Sequence, residues 1–155
     1  MKVEYSDYEI CILTEKEQKI KAIKLCDSAF EKPVFSRNNS ETLISKIDKH
    51  AHFIVVCHRE IVGYCAIYAN DNINQTAYIT LLAVRPQFQN MHIGKQLLRA
   101  ASKLASDQGM KYVKLEVSSN NINAIRFYQR NGFVELCAHG KGSIYMQKTI
   151  ISHEV

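Results

Sequence analysis

The stretch "TAYITLLAVRPQFQNMHIGKQLL", residues 76–98, decides the fold. Its first nine residues are almost wholly apolar, which predicts a buried, central strand, the longest apolar one in the chain. Pro86 ends it and a short polar loop follows. Ile93, Leu97, Leu98, Ala101, Leu104 and Ala105 then recur at helical spacing. The predicted helix runs from His92 to Asp107, with Gly109 as its stop residue. "KYVKLEV" (111–117) alternates and predicts the next strand. A strand, helix and strand in such close succession form a crossover between parallel strands.

Working outward, "EICILT" (9–14) reads as a first strand. Residues 15–30 carry helical spacing, with Thr14 as N-cap and Glu17 at N3. "EKPVFSRNNS" (31–40) is a loop, and Ser40 caps a second helix with Leu43, Ile44 and Ile47 on one face. "HFIVVCH" and "VGYCAIYA" predict a hairpin, which leads into the opening stretch. On its other side, "SSNN" (118–121) caps a helix over "INAIRFYQRN" that stops at Gly132. "FVELCA" and "GSIYMQKTI" close the chain as strands. The crossover requires parallel strands and the hairpins antiparallel ones, so the fold class is α/β with a mixed sheet.

Several function classes are excluded by composition. At 155 residues one domain is expected, large enough for a proper core. No apolar run reaches the ~20 residues that cross a bilayer, and the N-terminus lacks a signal-peptide core, so no membrane and a cytoplasmic location are expected. The net charge of +5 suits an anionic ligand, but no dense basic run accompanies it, and no nucleic acid partner is expected. Cys11, Cys26, Cys57, Cys65 and Cys137 form no C-x-x-C pair and read as reduced core thiols. The histidines, His50 and His52 among them, lack metal-ligand spacing, so no metal is expected.

The loop before the long helix is the first candidate site. A helix start leaves backbone N–H groups unpaired and carries partial positive charge, which suits an anion. Asn90 through Lys95 supply such amides, and Lys95 adds a full charge. The loop matches neither G-x-x-x-x-G-K-[ST], since Gln96 replaces the hydroxyl residue, nor G-x-G-x-x-G. Nucleoside triphosphates and dinucleotides are therefore poor ligands for it. Alone, it is equally an ordinary strand-to-helix connection.

Read together with "VSSNNINAIRFYQRNGF" (117–133), the stretch resembles the GCN5-related N-acetyltransferase (GNAT) family. That family's [QR]-x-x-G-x-[GA] run corresponds here to Gln89-Asn90-Met91-His92-Ile93-Gly94. Its later N-x-x-A, tyrosine and G-F correspond to Asn121, Ala124, Tyr128, Gly132 and Phe133. The likeness covers Tyr78 to Phe133. It implies a single N-acetyltransferase domain over 1–151, a short tail at 152–155, and a mostly antiparallel sheet flanked by helices and splayed at an acetyl-CoA cleft. It also implies that the amides of Asn90, Met91, His92, Ile93, Gly94 and Lys95, together with Gln89, cradle the CoA pyrophosphate. Leu82, Ala83 and Val84 would pair with the pantetheine arm as with an added strand. Asn121 would contact the cofactor, and Tyr128 would be the catalytic acid. His92 replaces a family glycine; residues at a helix start use ordinary helical angles, which histidine accepts, so a preserved site is expected.

The implied reaction is attack of a primary amine on the acetyl thioester. A lysine-like amine is neutral in about one molecule in a few thousand at pH 7, so neutralising it costs roughly 4–5 kcal/mol. Candidate bases are Tyr78 through water, Thr80 and Glu116. Arg126 and Arg130 reach the CoA 3′-phosphate or are simply solvated. In the family the acceptor is chosen by the first two helices, their loop and the C-terminal strands, here Phe30 to Arg37 and "AHGKGSIYMQ" (138–147), with Phe30, Phe35 and Tyr145 as candidate lining. The expected partners are acetyl-CoA and a small-molecule amine, with a polypeptide N-terminus or lysine as the alternative. The expected assembly is a monomer or homodimer. A non-catalytic acyl-CoA-binding module is the rival of another class.

Overall fold

A computed structural model describes residues 8–136 and 142–150. The elements run β1 (Glu9–Leu13), α1 (Lys16–Cys26), α2 (Ser40–His50), β2 (His52–His58), β3 (Glu60–Tyr68), β4 (Thr76–Val84), α3 (Ile93–Asp107), β5 (Tyr112–Ser118), α4 (Ile122–Arg130), β6 (Val134–Glu135) and β7 (Ser143–Thr149). The strands form one open, mostly antiparallel sheet of order β1-β2-β3-β4-β5-β7-β6. β4, the strand expected to be central, is fourth of seven. It pairs in parallel with β5, as the crossover requires.

The two N-terminal helix caps differ from expectation. α1 opens after Glu15 and not Thr14, with no side-chain cap, and ends at Cys26 in a 3-10 turn over Asp27–Ala29. α2 opens after Asn39, and Ser40 is its first helical residue and not its cap. The two helices are instead tied to one another: the buried Lys19 of α1 places its Nζ 3.0 Å from Asp48 Oδ1 and 3.2 Å from the Asp48 carbonyl on α2. That pairing satisfies the buried ammonium and fixes the two helices to one another.

By contact density the chain divides into two compact units, Met1–Ala66 with Leu81–Leu97, and Ile67–Thr80 with Leu98–Val155. The first is built on Ala22, Ile23 and Cys26 of α1, Ile44 and Ile47 of α2, Phe53–Val56 of β2, and the buried side chains of β3. Phe53 and Tyr64 stack within it at 5.0 Å. Gly63 sits where β3 must pass close beneath the start of α3. A Cβ there would lie 3.0 Å from the Ala83 carbonyl oxygen and 3.3 Å from both Ile93 and Leu97.

The second unit packs Ala101 and Ala105 of α3 with Val113, Leu115 and Val117 of β5, Phe133 and Met146. The expected α3 stripe is buried except for Leu104, which is half-buried. Gly109 ends α3 at φ +86°, and the Met110 N–H donates to the Ala105 carbonyl at 2.9 Å. This is the left-handed helix stop that glycine adopts without strain.

Candidate functional site

In the first unit, β4 ends in a tightly tied loop. The Arg85 N–H donates to the Val62 carbonyl at 2.8 Å, and its guanidinium pairs with Glu60 and lies over the Phe88 ring. Gln89 turns its side-chain amide back to the Val84 carbonyl at 3.1 Å. Tyr8 donates to the Met91 sulfur at 3.5 Å. The side chains of Gln89 and Met91 are thus engaged with the protein itself.

That backbone has an unusual form. Asn90 and His92 lie at φ +66° and +62°. Histidine therefore does not use ordinary helical angles here, contrary to expectation: it is held in the left-handed region, where a β-carbon costs roughly 1–2 kcal/mol. Asparagine and histidine are among the residue types enriched there, which explains how the loop keeps its shape without a glycine at 92. A backbone in which left-handed residues alternate with others can gather successive N–H groups into a concavity suited to an anion. The first hydrogen bond of α3 runs from Gln96 N to the His92 carbonyl at 3.1 Å. The amides of Ile93, Gly94 and Lys95 consequently have no acceptor within the helix. Ile93 and Leu97 are buried and anchor this helix start, while Lys95 is exposed.

The pairing of β4 with β5 runs from Thr76↔Tyr112 to Ile79↔Leu115 and goes no further, although β4 continues to Val84 and β5 to Ser118. Leu82 and Val84 are half-buried and Ala83 is buried.

In the second unit, Asn121 caps α4: its Oδ1 accepts from the Ala124 N–H at 3.1 Å. The cap leaves the side-chain NH2 without a role in the helix. Tyr128 is half-buried, with its ring centroid 5.3 Å from Phe127 and 5.6 Å from Phe133. The Phe133 N–H donates to the Tyr128 carbonyl, which ties the end of α4 to the strand that follows.

Tyr78, Glu116 and Tyr145 share one face of this unit's strands, because Tyr78 pairs with Lys114 and Glu116 with Tyr145. Ser143 Oγ donates to Glu116 Oε2 at 2.9 Å. Burial, with Glu116 and Tyr145 beside it, pushes the Tyr78 phenol up to about 12. The Tyr78 phenol therefore keeps its proton at neutral pH. Thr80 is half-buried on the same strand face. Of the acceptor candidates, Phe30 lies under the Arg37 guanidinium, Phe35 under Lys24 and Tyr145 under Lys114. The first two belong to the first unit and Tyr145 to the second. Residues 138–141 of the expected acceptor strand lie outside the described residues. Arg126 and Arg130 are exposed.

Sequence reasoning missed Gly63 and Ser143. A glycine inside the apolar run "IVGYCAIY" was a readable signal for close backbone approach. Ser143 carried none, since only strand register sets it opposite Ser118 and near Glu116. Among the described residues no group of three or more His, Cys, Asp or Glu side chains is placed to hold a metal ion. No helix among them is long and apolar enough to cross a membrane.

Comparison with known proteins gives a consistent picture. A family model described as the acetyltransferase (GNAT) family matches residues 20–133. The chain is 29% identical over 84 residues to a putative [ribosomal protein bS18]-alanine N-acetyltransferase of Bacillus subtilis, covering 54% of each. It is 36% identical over 67 residues to the spermine/spermidine N(1)-acetyltransferase of the same organism, covering 43% of this chain and 44% of that one. The chain thus spans about half the length of the curated relatives it matches. Its fold matches that of the paia N-acetyltransferase from Thermoplasma acidophilum in complex with coenzyme A, with a TM-score of 0.76, 22% identity and coverage of 92% and 99%.

Proposed function

Because the chain belongs to the acetyltransferase (GNAT) family, we propose that it is an acetyl-CoA-dependent N-acetyltransferase acting on a primary amine. The observation that carries this reading is the backbone of residues 89–95. Two left-handed residues lead into a helix start whose first amides have no partner in the helix, which fits a pyrophosphate. The Thermoplasma acidophilum neighbour's complex with coenzyme A supports the same ligand. No metal enters the reading.

Acetyl-CoA, when bound, supplies the acetyl group as an activated thioester. The amides of Asn90 to Lys95 hold its pyrophosphate, and the free edge of β4 at Leu82, Ala83 and Val84 offers backbone partners to an extended arm. The Asn121 amide NH2 donates to the cofactor. Tyr128 gives its proton to the departing thiolate; with ordinary values near 10 for tyrosine and 8.5 for a cysteine-like thiol, this is uphill by only about 2 kcal/mol. Glu116, oriented by Ser143, takes the proton of the attacking amine.

The acceptor expected from sequence is a small-molecule amine, and the likeness to a spermine/spermidine acetyltransferase supports it. A second reading, a polypeptide α-amine, is favoured by the likeness to the bS18-alanine acetyltransferase and by energetics. Glu116 is exposed, so little desolvation helps to neutralise the amine there. An α-amine near 7.7–8.0 needs only about 1 kcal/mol at pH 7, against 4–5 for an alkylamine.

Release of CoA thiol from acetyl-CoA, measured across polyamines, amino sugars and peptides with free N-termini, tests the proposal. One class should accelerate release, and Tyr128→Phe should suppress it. If acetyl-CoA binds, no amine accelerates release and Tyr128→Phe changes nothing, the chain is a non-catalytic acyl-CoA-binding module.

A further inference from the structure

Cys11 lies on the edge strand β1 and Cys57 on its neighbour β2. The antiparallel register sets Glu9 opposite Cys57 and Cys11 opposite Val55, so the two cysteines are diagonal neighbours on one face of the ladder. The Cys11 thiol lies close enough to raise that of Cys57. Cys11 is exposed, and Cys57 is half-buried. Buried thiols such as Cys26 and Cys65 are sheltered from solution; this pair is open to it.

We propose that Cys11 and Cys57 form a reversible dithiol–disulfide site, oxidised by peroxides, that fastens the edge strand β1 to β2. The exposed Cys11 meets the oxidant first. Its sulfur attacks the peroxide O–O bond, that bond breaks, and Cys11 becomes a sulfenic acid while one water leaves. The Cys57 sulfur then attacks the Cys11 sulfur; the S–S bond forms, the S–O bond breaks, and the hydroxyl departs with the Cys57 proton as a second water. Two thiols and one peroxide thus give one disulfide and two waters. A low-molecular-weight thiol reverses the step by exchange.

Three features favour a switch over a permanent staple. Diagonal neighbours sit farther apart, at about 7–8 Å, than the Cα spacing a relaxed disulfide prefers, so the bond is strained and readily reduced. β1 is paired on one side only and can shift to accept it. Cys57 is only half-buried, so a reducing thiol can reach the bond. The cross-link closes the segment 12–56, which carries α1, α2 and the loop between them. If that segment selects the acceptor, as the proposed function has it, oxidation stiffens the acceptor side of the enzyme. The cross-link itself does not depend on that reading.

Treatment of the reduced full chain with hydrogen peroxide, followed by thiol counting and peptide mapping, tests the site without cofactor or acceptor. The expected result is loss of two thiols, a mass decrease of about 2 Da and a Cys11–Cys57 peptide that dithiothreitol dissolves. The melting temperature should rise by about 5 °C or more on oxidation. Neither Cys11→Ser nor Cys57→Ser should show the mass decrease or the rise. Stable oxygen addition at Cys11 without a cross-link, or a disulfide joining any other pair, in the unsubstituted chain overturns the proposal.

Discussion

α3 and α4 both begin directly after a β-strand's loop, yet they begin in opposite ways. α4 is entered through a side chain: Asn121 folds back and satisfies the Ala124 amide. α3 is entered through the main chain, with Asn90 and His92 in the left-handed region and the first helical bond only at Gln96. A side-chain cap stabilises a helix by occupying one of its free amides. A strained main-chain entry leaves those amides for something else. The comparison separates a helix start capped by a side chain from one whose first amides have no acceptor within the helix.

Substitutions at four positions test that contrast. Tyr128→Phe, on the well-capped helix, should lower kcat by about 10²–10⁴ with little change in the KM for acetyl-CoA. Steady-state kinetics that show the loss in KM alone would move Tyr128 from chemistry to binding. Gly63→Ala should cost about 2 kcal/mol, because the new Cβ would sit 3.0 Å from the Ala83 carbonyl beneath the α3 start. It should also weaken CoA binding, as read by calorimetry; a destabilised chain that binds CoA normally would show that the seat of α3 does not shape the loop.

Asn121→Ala should cost about 1 kcal/mol in urea unfolding, and Asn121→Asp much less, since aspartate keeps the capping oxygen. If the two variants are equally destabilised, the cap is not what opens α4. His92→Gly should have the smallest effect. It relieves the left-handed strain at the expense of a looser unfolded chain, for a net gain of about 0.5–1 kcal/mol. CoA affinity should change by less than about threefold, because the same amides remain in place. A gain of tenfold or more would mean that the imidazole itself obstructs the loop.

Much of this was legible before any coordinates. The periodicity of 76–117 gave strand, helix and parallel strand, because apolar spacing is a local record of which face will be buried. "SSNN" announced the cap of α4, and Gly109 the end of α3, since both act within a turn of their own helix. The caps assigned to Thr14 and Ser40 were not used: α1 opens after Glu15 and α2 after Asn39, neither with a side-chain cap, and the long-range pairing of Lys19 with Asp48 that ties the two helices leaves no local signal. His92 was misjudged in angle: sequence names the residue that replaces a glycine but not the φ imposed on it by the ties at either end of the loop.

By itself, then, the sequence determined the order of elements, the mixed sheet and the two motif helices, all of which follow from short-range periodicity and turn chemistry. Only tertiary structure decided which groups act on one another: Glu116 with Ser143 and Tyr78, Gly63 beneath Ile93, and Cys11 beside Cys57. Those pairings depend on strand register and on the path of one element over another, which bring together residues far apart in the chain, and no local pattern encodes that placement.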